Sequence, residues 1–406
     1  MFNKRCRDRA GKKVRDRGFW QQQQQQQLIM DRHPSAVASG QVLESTRGQL
    51  QDEVMSASAV SRTSTAGSFQ FTFEVGQRSN QGSYIEPEAS PDEARESSES
   101  LSESVQAYPE ENGRTYHAYR AGSYAFPNDM PERERLSLQH NVLTRLFNGK
   151  LFFAPLNEVY PPRRILDIAT GTGEWAIEMG DHFPQTQVTA TDLSPIQPEE
   201  VPPNVTFFVE DSSEEWEYTT PFDYIHTRVT AGCWSSFRDQ IATQAFEALN
   251  PGGYFESQEF DGTFSSDDGT LLPNSALAQW SDDLCAASEK LDRPVVMSKY
   301  LKRMYEEVGF VDVQERVFKI PTNGWPKDAK LKELGKIWES NMTQGLSGFS
   351  SALFNRVYER TPAEIEVSLV DVRRDLSNPR IHAYSSIYVV WGRKPYPGET
   401  WSSGSR

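Results

Sequence analysis

Residues 165–173 of this 406-residue chain read ILDIATGTG, and this stretch decides the fold. Three of its first four residues are apolar and β-prone, which is typical of a short buried strand. Its last three form a glycine turn, and an amphipathic segment with Trp175, Met179 and Phe183 follows. A strand, a glycine loop and a helix in this order are typical of the first unit of a doubly wound α/β sheet.

Strands and helices continue to alternate along the chain. Further strands are predicted at 188–191, 205–209, 222–226, 254–258, 311–319 and 384–391, which makes seven. Helices are predicted from Pro131 to about 147 and at 235–249, 273–291, 298–308, 327–345 and 361–376. This alternation predicts an α/β fold with a mostly parallel, doubly wound sheet. Residues of about 321–378 look like a helical insertion between the last two strands.

The first 110 residues have a different composition. Residues 1–20 carry eight Lys and Arg against two Asp, residues 21–27 are all Gln, and residues 86–111 hold nine acidic residues and one Arg. Such segments bury too little apolar surface to offset chain entropy. We therefore predict a disordered tail over 1–110, with a strand-like alternation at 69–75 as a weak exception, and one folded domain over 111–397.

Composition also excludes several classes of protein. The net charge of −15 argues against a folded surface that neutralises nucleic-acid phosphates. No apolar run approaches the roughly 20 residues that span a bilayer. Three scattered Cys and six dispersed His, without HxxxH or CxxC, do not form a disulfide framework or a metal site. We expect no metal, no membrane association and no direct nucleic-acid binding by the folded domain.

Acidic side chains around the glycine loop indicate which ligand it holds. Asp167 and Glu174 flank the loop, and Asp192 ends the second strand 19 residues after Gly173. An acid at that position can accept hydrogen bonds from a ribose, and the glycine spacing also fits a dinucleotide site. A pyrophosphate, however, favours backbone N–H groups without a nearby carboxylate. Carboxylates attract the sulfonium and ammonium of S-adenosyl-L-methionine, so the charges favour this methyl donor over a nicotinamide dinucleotide.

Several segments resemble the LaeA-like methyltransferases of fungi. They are ILDIATGTGEWAIEM (165–179), ATDLSPIQP (190–198), FDYIHTR (222–228), LNPGGYFESQE (249–259), ENGRTYHAYRAGSY (111–124) and IHAY (381–384). The resemblance covers about 111–394 and implies a class I, Rossmann-like fold that uses S-adenosyl-L-methionine. Ala169 departs from it, because class I methyltransferases often have Gly at this loop position.

The resemblance implies a binding residue for each part of the methyl donor. Asp167, Gly171 and Gly173 would hold the methionine end, and Asp192 would bind the ribose. Asp211, which follows the third strand, would contact the adenine. A solvated loop acid is the alternative for Asp211.

Candidate catalytic residues lie at the ends of the fourth and fifth strands. His226 and Glu259 are the two candidate general bases, and a structural role is the alternative for each. A base is needed only if the acceptor atom carries a proton at working pH. Arg228 would bind an acidic substrate or cap a helix, and Tyr116 with His117 would fold over the cleft or serve as ordinary packing.

The resemblance leaves three functions open. The first is a nuclear regulator of fungal secondary metabolism that acts with velvet-domain proteins, with the basic residues 4–17 as an import signal. The second is a tailoring enzyme that methylates a small metabolite. The third is a scaffold that binds the methyl donor without transferring it. The expected location of the chain is the nucleus, with the cytoplasm as the alternative. A tailoring enzyme needs an apolar pocket, and the insertion offers aromatic residues that line a pocket or fill a helix core: Trp325, Trp338, Phe349, Phe354 and Tyr358.

Overall fold

The computed structural model describes residues 103–399. They fold around a seven-stranded sheet. Before it come helix α1 (Glu103–Gln106) and a hairpin of β1 (Glu110–Glu111) and β2 (Arg114–Thr115). The sheet strands are β3 (Arg164–Ile168), β4 (Gln187–Asp192), β5 (Val205–Val209), β6 (Phe222–Arg228), β7 (Leu249–Ser265), β8 (Val311–Pro321) and β9 (Tyr384–Arg393). The longer helices are α2 (Met130–Leu146), α3 (Glu174–His182), α4 (Thr243–Ala248), α5 (Ala276–Lys290), α6 (Leu301–Val308), α7 (Ala329–Tyr358) and α8 (Pro362–Leu376).

The strand order is β5-β4-β3-β6-β7-β9-β8. Strands β3 to β7 pair in parallel, and β9 pairs antiparallel with both β7 and β8. The predicted mostly parallel, doubly wound sheet of seven strands is therefore confirmed. The order reverses between β3 and β6, and ligands of such sheets bind at the carboxyl ends of the strands near this point.

Two apolar cores cover the two faces of the sheet. Successive strand side chains point to opposite faces, so Ile165 belongs to one core and Leu166 to the other. The first core includes residues of α2, α3, α5, α7 and α8, and the second includes residues of α4 and α6. The insertion between β8 and β9 consists of α7 and α8, and it lies on the face that carries α2 and α3.

Helix α2 starts where the sequence predicts, for a local reason. The side chain of Asp129 caps it by accepting a hydrogen bond from the N–H of Glu132, 3.1 Å away. Pro131 stands in the first turn, where its missing N–H leaves no helical hydrogen bond unmade. The cap fixes the direction in which α2 crosses the carboxyl edge of the sheet.

The predicted end of the helix at 327–345 is wrong, because α7 continues to Tyr358. The run after residue 345 contains Gly and Ser, which lower helix propensity. Packing compensates for this. A Cβ at Gly348 would lie 3.2 Å from Pro127, so the small residue allows α7 to approach the segment before α2. Trp280 of α5 also donates a hydrogen bond to Ser350 at 2.9 Å.

Two other boundaries differ from the predictions. The sequence predicts the fifth strand at 254–258 after a turn, but β7 runs from Leu249 to Ser265. The predicted turn lies within β7, where the pairing with β6 is irregular. The helix expected at 235–249 begins as a π-helical turn, Arg238–Ala242, before α4. The alternation at 69–75 and the predicted tail up to residue 102 lie outside the described residues; residues 103–110 contain α1 and the start of β1.

Candidate active site

A cavity of about 240 Å³ lies at the carboxyl edge of the sheet. One part, the loop half, is lined by residues at the carboxyl ends of β3 and β4 and in the loops after β3, β4 and β5: Asp167, Ala169, Gly171, Thr172, Asp192, Leu193, Asp211 and Ser212. The other part, the aromatic half, is lined by side chains from the segment before α2 and from β7, α5 and α7: Phe126, Phe260, Phe264, Trp280, Leu284, Trp338, Met342 and Phe349. The two halves are continuous.

The glycine loop has a backbone that few residues adopt. The φ angles of Ala169, Gly171 and Gly173 are 54°, 61° and 80°, all in the left-handed region. Glycine enters this region without a steric cost, whereas alanine does not. A Cβ at Gly173 would also lie 2.5 Å from the ring of Phe207. Gly173 itself does not line the cavity; it allows the loop to pack on β5.

Asp192 joins the loops after β3 and β4. Its two carboxylate oxygens accept hydrogen bonds from the N–H of Gly171 at 2.8 Å and from the N–H of Ser194 at 2.9 Å. Burial raises the pKa of Asp192 to about 6, although the same backbone donors oppose the shift. A carboxylate has further acceptor capacity on each oxygen, which leaves Asp192 able to bind hydroxyl groups in the cavity.

Asp167 and Asp211 also face the loop half. The carboxylate of Asp167 accepts hydrogen bonds from Nδ1 of His226 at 2.8 Å and from the hydroxyl of Thr170 at 2.6 Å. Asp211 accepts from the backbone N–H and the hydroxyl of Ser213. The structure therefore brings three of the predicted acids and Gly171 to one surface.

The structure does not bring His226 and Glu259 to the cavity. Both side chains are fully buried, and neither lines the cavity. The His226 ring stacks on Trp175 with centroids 3.7 Å apart, and its Nε2 has no partner among residues 103–399. Glu259 accepts hydrogen bonds from Thr227 and Thr230, and burial raises its pKa to about 7. Such contacts are expected of residues that have a structural role, which is the alternative to a general base for both.

Arg228 lies on the cavity wall and is held from α2. Its Nη2 donates to Nδ1 of His140 at 2.7 Å, and Nε2 of His140 lies 3.0 Å from a carboxylate oxygen of Glu178. Burial, followed by the charge of Arg228, lowers the pKa of His140. A neutral His140 accepts at Nδ1 and donates at Nε2, so it orients the guanidinium toward the cavity.

The segment before α2, residues 116–129, covers the loop half. Tyr116 packs in the core, whereas His117, only 2% exposed, lines the cavity. Its Nε2 lies 3.0 Å from the carbonyl oxygen of Arg120, and its Nδ1 has no partner in the described part of the chain. Burial lowers the pKa of His117. Salt bridges fasten the segment and the hairpin before it: Arg114–Asp129, Arg120–Glu214 and Arg356–Glu111.

Most of the aromatic half was not predicted. Of the five aromatic residues proposed from the insertion, Trp338 and Phe349 line the cavity. The others do not: Phe354 is buried in the core, and Trp325 donates a hydrogen bond to the carbonyl of Ala383. Residues from β7 and α5 complete the wall. No local motif marks them, because they share only their final position in space.

Residues 103–399 contain neither a cluster of metal ligands nor a membrane-spanning helix. No group of three or more His, Cys, Asp or Glu side chains there could hold a metal ion. None of the helices there combines the length and the apolar character that crossing a bilayer requires.

Comparisons with known proteins show which family the chain resembles. The family described as "Methyltransferase domain" matches residues 138–315. "Methyltransferase pytC" of Aspergillus terreus is 42% identical over 302 residues, which cover 73% of this chain and 91% of the relative. "Secondary metabolism regulator LAE1" of Cochliobolus heterostrophus is 36% identical over 290 residues, with 70% and 94% covered. "Secondary metabolism regulator laeA" of Emericella nidulans is 32% identical over 296 residues, with 71% and 77% covered.

Proposed function

The chain belongs to the LaeA-like family of fungal class I methyltransferases, which use S-adenosyl-L-methionine, and from this premise we propose that it methylates a small, largely apolar molecule of secondary metabolism. One observation carries the proposal. The loop half, which suits the methyl donor, opens directly into an aromatic half that is enclosed by α5 and α7. Such a wall suits a small apolar acceptor.

The residues of the loop half fit the methyl donor chemically. Three carboxylates, those of Asp167, Asp192 and Asp211, line this half. They would favour a ligand with an ammonium and a sulfonium and would repel a pyrophosphate. Within this proposal, Asp192 binds the ribose hydroxyls, Asp211 faces the adenine, and Asp167 with the backbone of Gly171 holds the methionine end.

Several residues would act by holding others in place. When bound, S-adenosyl-L-methionine supplies an electrophilic methyl group on its sulfonium. His226 donates to Asp167 from beneath the cavity and so fixes the orientation of that carboxylate. Arg228, held by His140, adds a positive charge that suits the carboxylate of the methionine end. Positioning of this kind supplies much of the rate in a simple displacement.

The position of the cavity also bears on the acceptor. The segment before α2 and the helices α5 and α7 cover the aromatic half, so a protein acceptor would have to thread a side chain between them. A compact molecule with an aromatic or alicyclic body would contact the aromatic walls on several sides.

Labelled methyl transfer tests this proposal. The protein is incubated with isotopically labelled S-adenosyl-L-methionine and an extract of a fungal strain that lacks it. We expect label in an organic-soluble small molecule. The Asp192→Ala variant should transfer much less label, and Asp181→Ala, an exposed acid on α3, should match the unaltered protein. Label found only in protein would contradict the proposal.

A second function is favoured by the relatives named secondary metabolism regulators. We propose that the chain, if it regulates, acts in the nucleus, that the basic residues 4–17 direct its import, and that velvet-domain proteins are its partners. A fluorescent reporter fused to residues 1–20 tests the import step. A nuclear reporter supports it, and a cytoplasmic reporter rejects it while leaving the methyltransferase unaffected.

A further inference from the structure

Two buried hydrogen-bond donors in the cavity wall have no partner. The indole Nε1 of Trp338 and the hydroxyl of Ser385 make no hydrogen bond within residues 103–399. Both residues are only 1% exposed, so bulk solvent does not supply a partner. Both residues line the cavity. An unpaired buried donor costs about 1–3 kcal/mol, so such a group in a native fold calls for a partner. A ligand in the cavity would supply that partner.

The other tryptophans on the cavity wall do have partners. Nε1 of Trp175 donates to the carbonyl of Leu151, that of Trp234 to the hydroxyl of Ser212, and that of Trp280 to the hydroxyl of Ser350, at distances of 2.9 to 3.1 Å. Trp338 is therefore the exception among the cavity tryptophans. Its free N–H is a property of this position and not of tryptophans packed in this fold.

The two unpaired donors belong to one section of the wall. The Trp338 ring stacks on Phe260 of β7 with centroids 4.9 Å apart. Ser385 of β9 pairs across from Phe264, also on β7, in the register of the antiparallel strands. Phe260 and Phe264 both line the aromatic half. An aromatic body held against these two rings would lie beside both Trp338 and Ser385.

The surrounding charges favour a neutral ligand group at this point. Asp261 lies between the two phenylalanines on β7, lines the cavity and is 8% exposed. One of its oxygens accepts from Thr263, and the other has no partner in the part of the chain described. A carboxylate on the ligand would be repelled by this side chain. The guanidinium of Arg135, which also lines the cavity, is already engaged by Glu132 and by two further side chains, those of Gln139 and Asn341.

We propose that Trp338 and Ser385 form a carbonyl-binding subsite that recognises a neutral ketone, quinone or amide oxygen on an aromatic acceptor. A carbonyl oxygen has two lone pairs and can accept from the indole N–H and the serine O–H together. The inference rests on the proposed function, because it takes the aromatic half as the acceptor site. It adds the chemical class of the acceptor and two specificity-determining residues.

Three matched probes test the subsite: 1-indanone, indane and indane-1-carboxylate. Their dissociation constants are measured by ligand-observed NMR with the full chain saturated with S-adenosylhomocysteine. The unaltered protein should bind 1-indanone about tenfold more tightly than indane, as expected for one or two net hydrogen bonds. Indane-1-carboxylate should bind no better than indane. Trp338→Phe and Ser385→Ala should each lower the ratio of the two affinities, and the double variant should bring it within twofold of one.

Trp280→Phe is the matched control. It also removes an indole from the aromatic half, but its N–H already donates to Ser350, so both probes should weaken together and their ratio should stay near ten. Equal binding of 1-indanone and indane to the unaltered protein would overturn the subsite and leave the apolar acceptor site standing. Failure of every probe to bind, with S-adenosylhomocysteine still bound, would reject the proposed function as well. If Trp338→Phe does not fold, the ratio for the unaltered protein and for Ser385→Ala still decides.

Discussion

The two halves of the cavity are built in opposite ways. The loop half is made of backbone turns at strand ends, and Asp192 ties two of these turns together through N–H groups. The aromatic half is made of side chains from distant parts of the chain, from Phe126 to Ser385. Side chains on helices can be exchanged without moving the sheet. A fold of this kind can therefore keep one methyl donor and accept different acceptors.

Substitution of Gly173 should have the largest effect, and only on the loop half. In Gly173→Glu the new side chain would meet the Phe207 ring and would require a left-handed backbone. We expect affinity for S-adenosylhomocysteine, measured by calorimetry, to fall roughly a thousandfold or more, because the loop must move. The strain should also lower stability by about 1–3 kcal/mol.

Gly269→Glu is the control for this prediction. Gly269 has a similar φ of 74° but no atom within 4 Å of an added Cβ, so it shares the backbone strain without the collision. Binding of S-adenosylhomocysteine should then be unchanged. Full affinity in Gly173→Glu would show that the loop does not shape the site.

Filling the aromatic half should have the converse effect. Leu284 of α5 is 7% exposed and lines this half. Leu284→Trp should weaken 1-indanone binding roughly a hundredfold, or by about 3 kcal/mol, because the larger side chain occupies space that the ligand needs. Affinity for S-adenosylhomocysteine should stay within twofold. Val367→Trp, on an exposed face of α8, should change neither. Loss of both ligands in Leu284→Trp would mean that the two halves are not independent.

Asp192→Ala should weaken binding of S-adenosylhomocysteine by about 10- to 100-fold. The change removes the acceptor of two backbone N–H groups and the proposed acceptor of the ribose hydroxyls, and stranded groups of this kind cost about 1–3 kcal/mol. Asp181→Ala serves as the control in the same calorimetric titration. Equal affinities of the two variants would remove Asp192 from the site.

Lowering the pH should weaken ligand binding in the loop half but not in the aromatic half, and this effect should be smaller than those above. Burial raises the pKa of Asp192 to about 6, so its protonation below pH 6 should reduce ribose binding. Affinity for S-adenosylhomocysteine should be roughly tenfold weaker at pH 5 than at pH 7, while 1-indanone binding stays constant. Asp192→Asn should abolish this dependence, and a pH profile that persists in Asp192→Asn would assign it to another group.

The stability of the ligand-free protein should change with pH in the opposite direction. The folded-state pKa of Asp192, about 6, and of Glu259, about 7, both lie above the unfolded values of roughly 4. The folded state therefore binds more protons between about pH 4 and 7, and the contribution of these two groups to stability rises as pH falls through that window. The lowered pKa values of His117 and His140 act in the opposite sense, so the comparison with Asp192→Asn isolates the carboxyl. Between pH 7.5 and pH 6 the melting temperature of the unaltered protein should rise more, or fall less, than that of Asp192→Asn, and equal changes would contradict this.

The difference between the halves also explains what the sequence could predict. The loop half follows from short segments, because the strand, the glycines and Asp192 each have a local signal. The aromatic half has none: Phe260 and Trp338 meet only after α7 has packed, and α7 itself runs past the end that its Gly and Ser residues suggested. The predicted positions at strand ends are wrong, because His226 lies within β6 and Glu259 lies in the interior of β7. Periodicity also does not distinguish a side chain in the cavity from one beneath it.

The central claim is that the methyl donor and a small apolar acceptor occupy one continuous cavity. An inter-ligand Overhauser measurement tests it directly, with S-adenosylhomocysteine and 1-indanone both bound to the full chain. We predict cross-peaks between the methylene protons beside the sulfur of S-adenosylhomocysteine and the protons of 1-indanone, and their loss in Leu284→Trp. Simultaneous binding of both ligands without any cross-peak would contradict the claim.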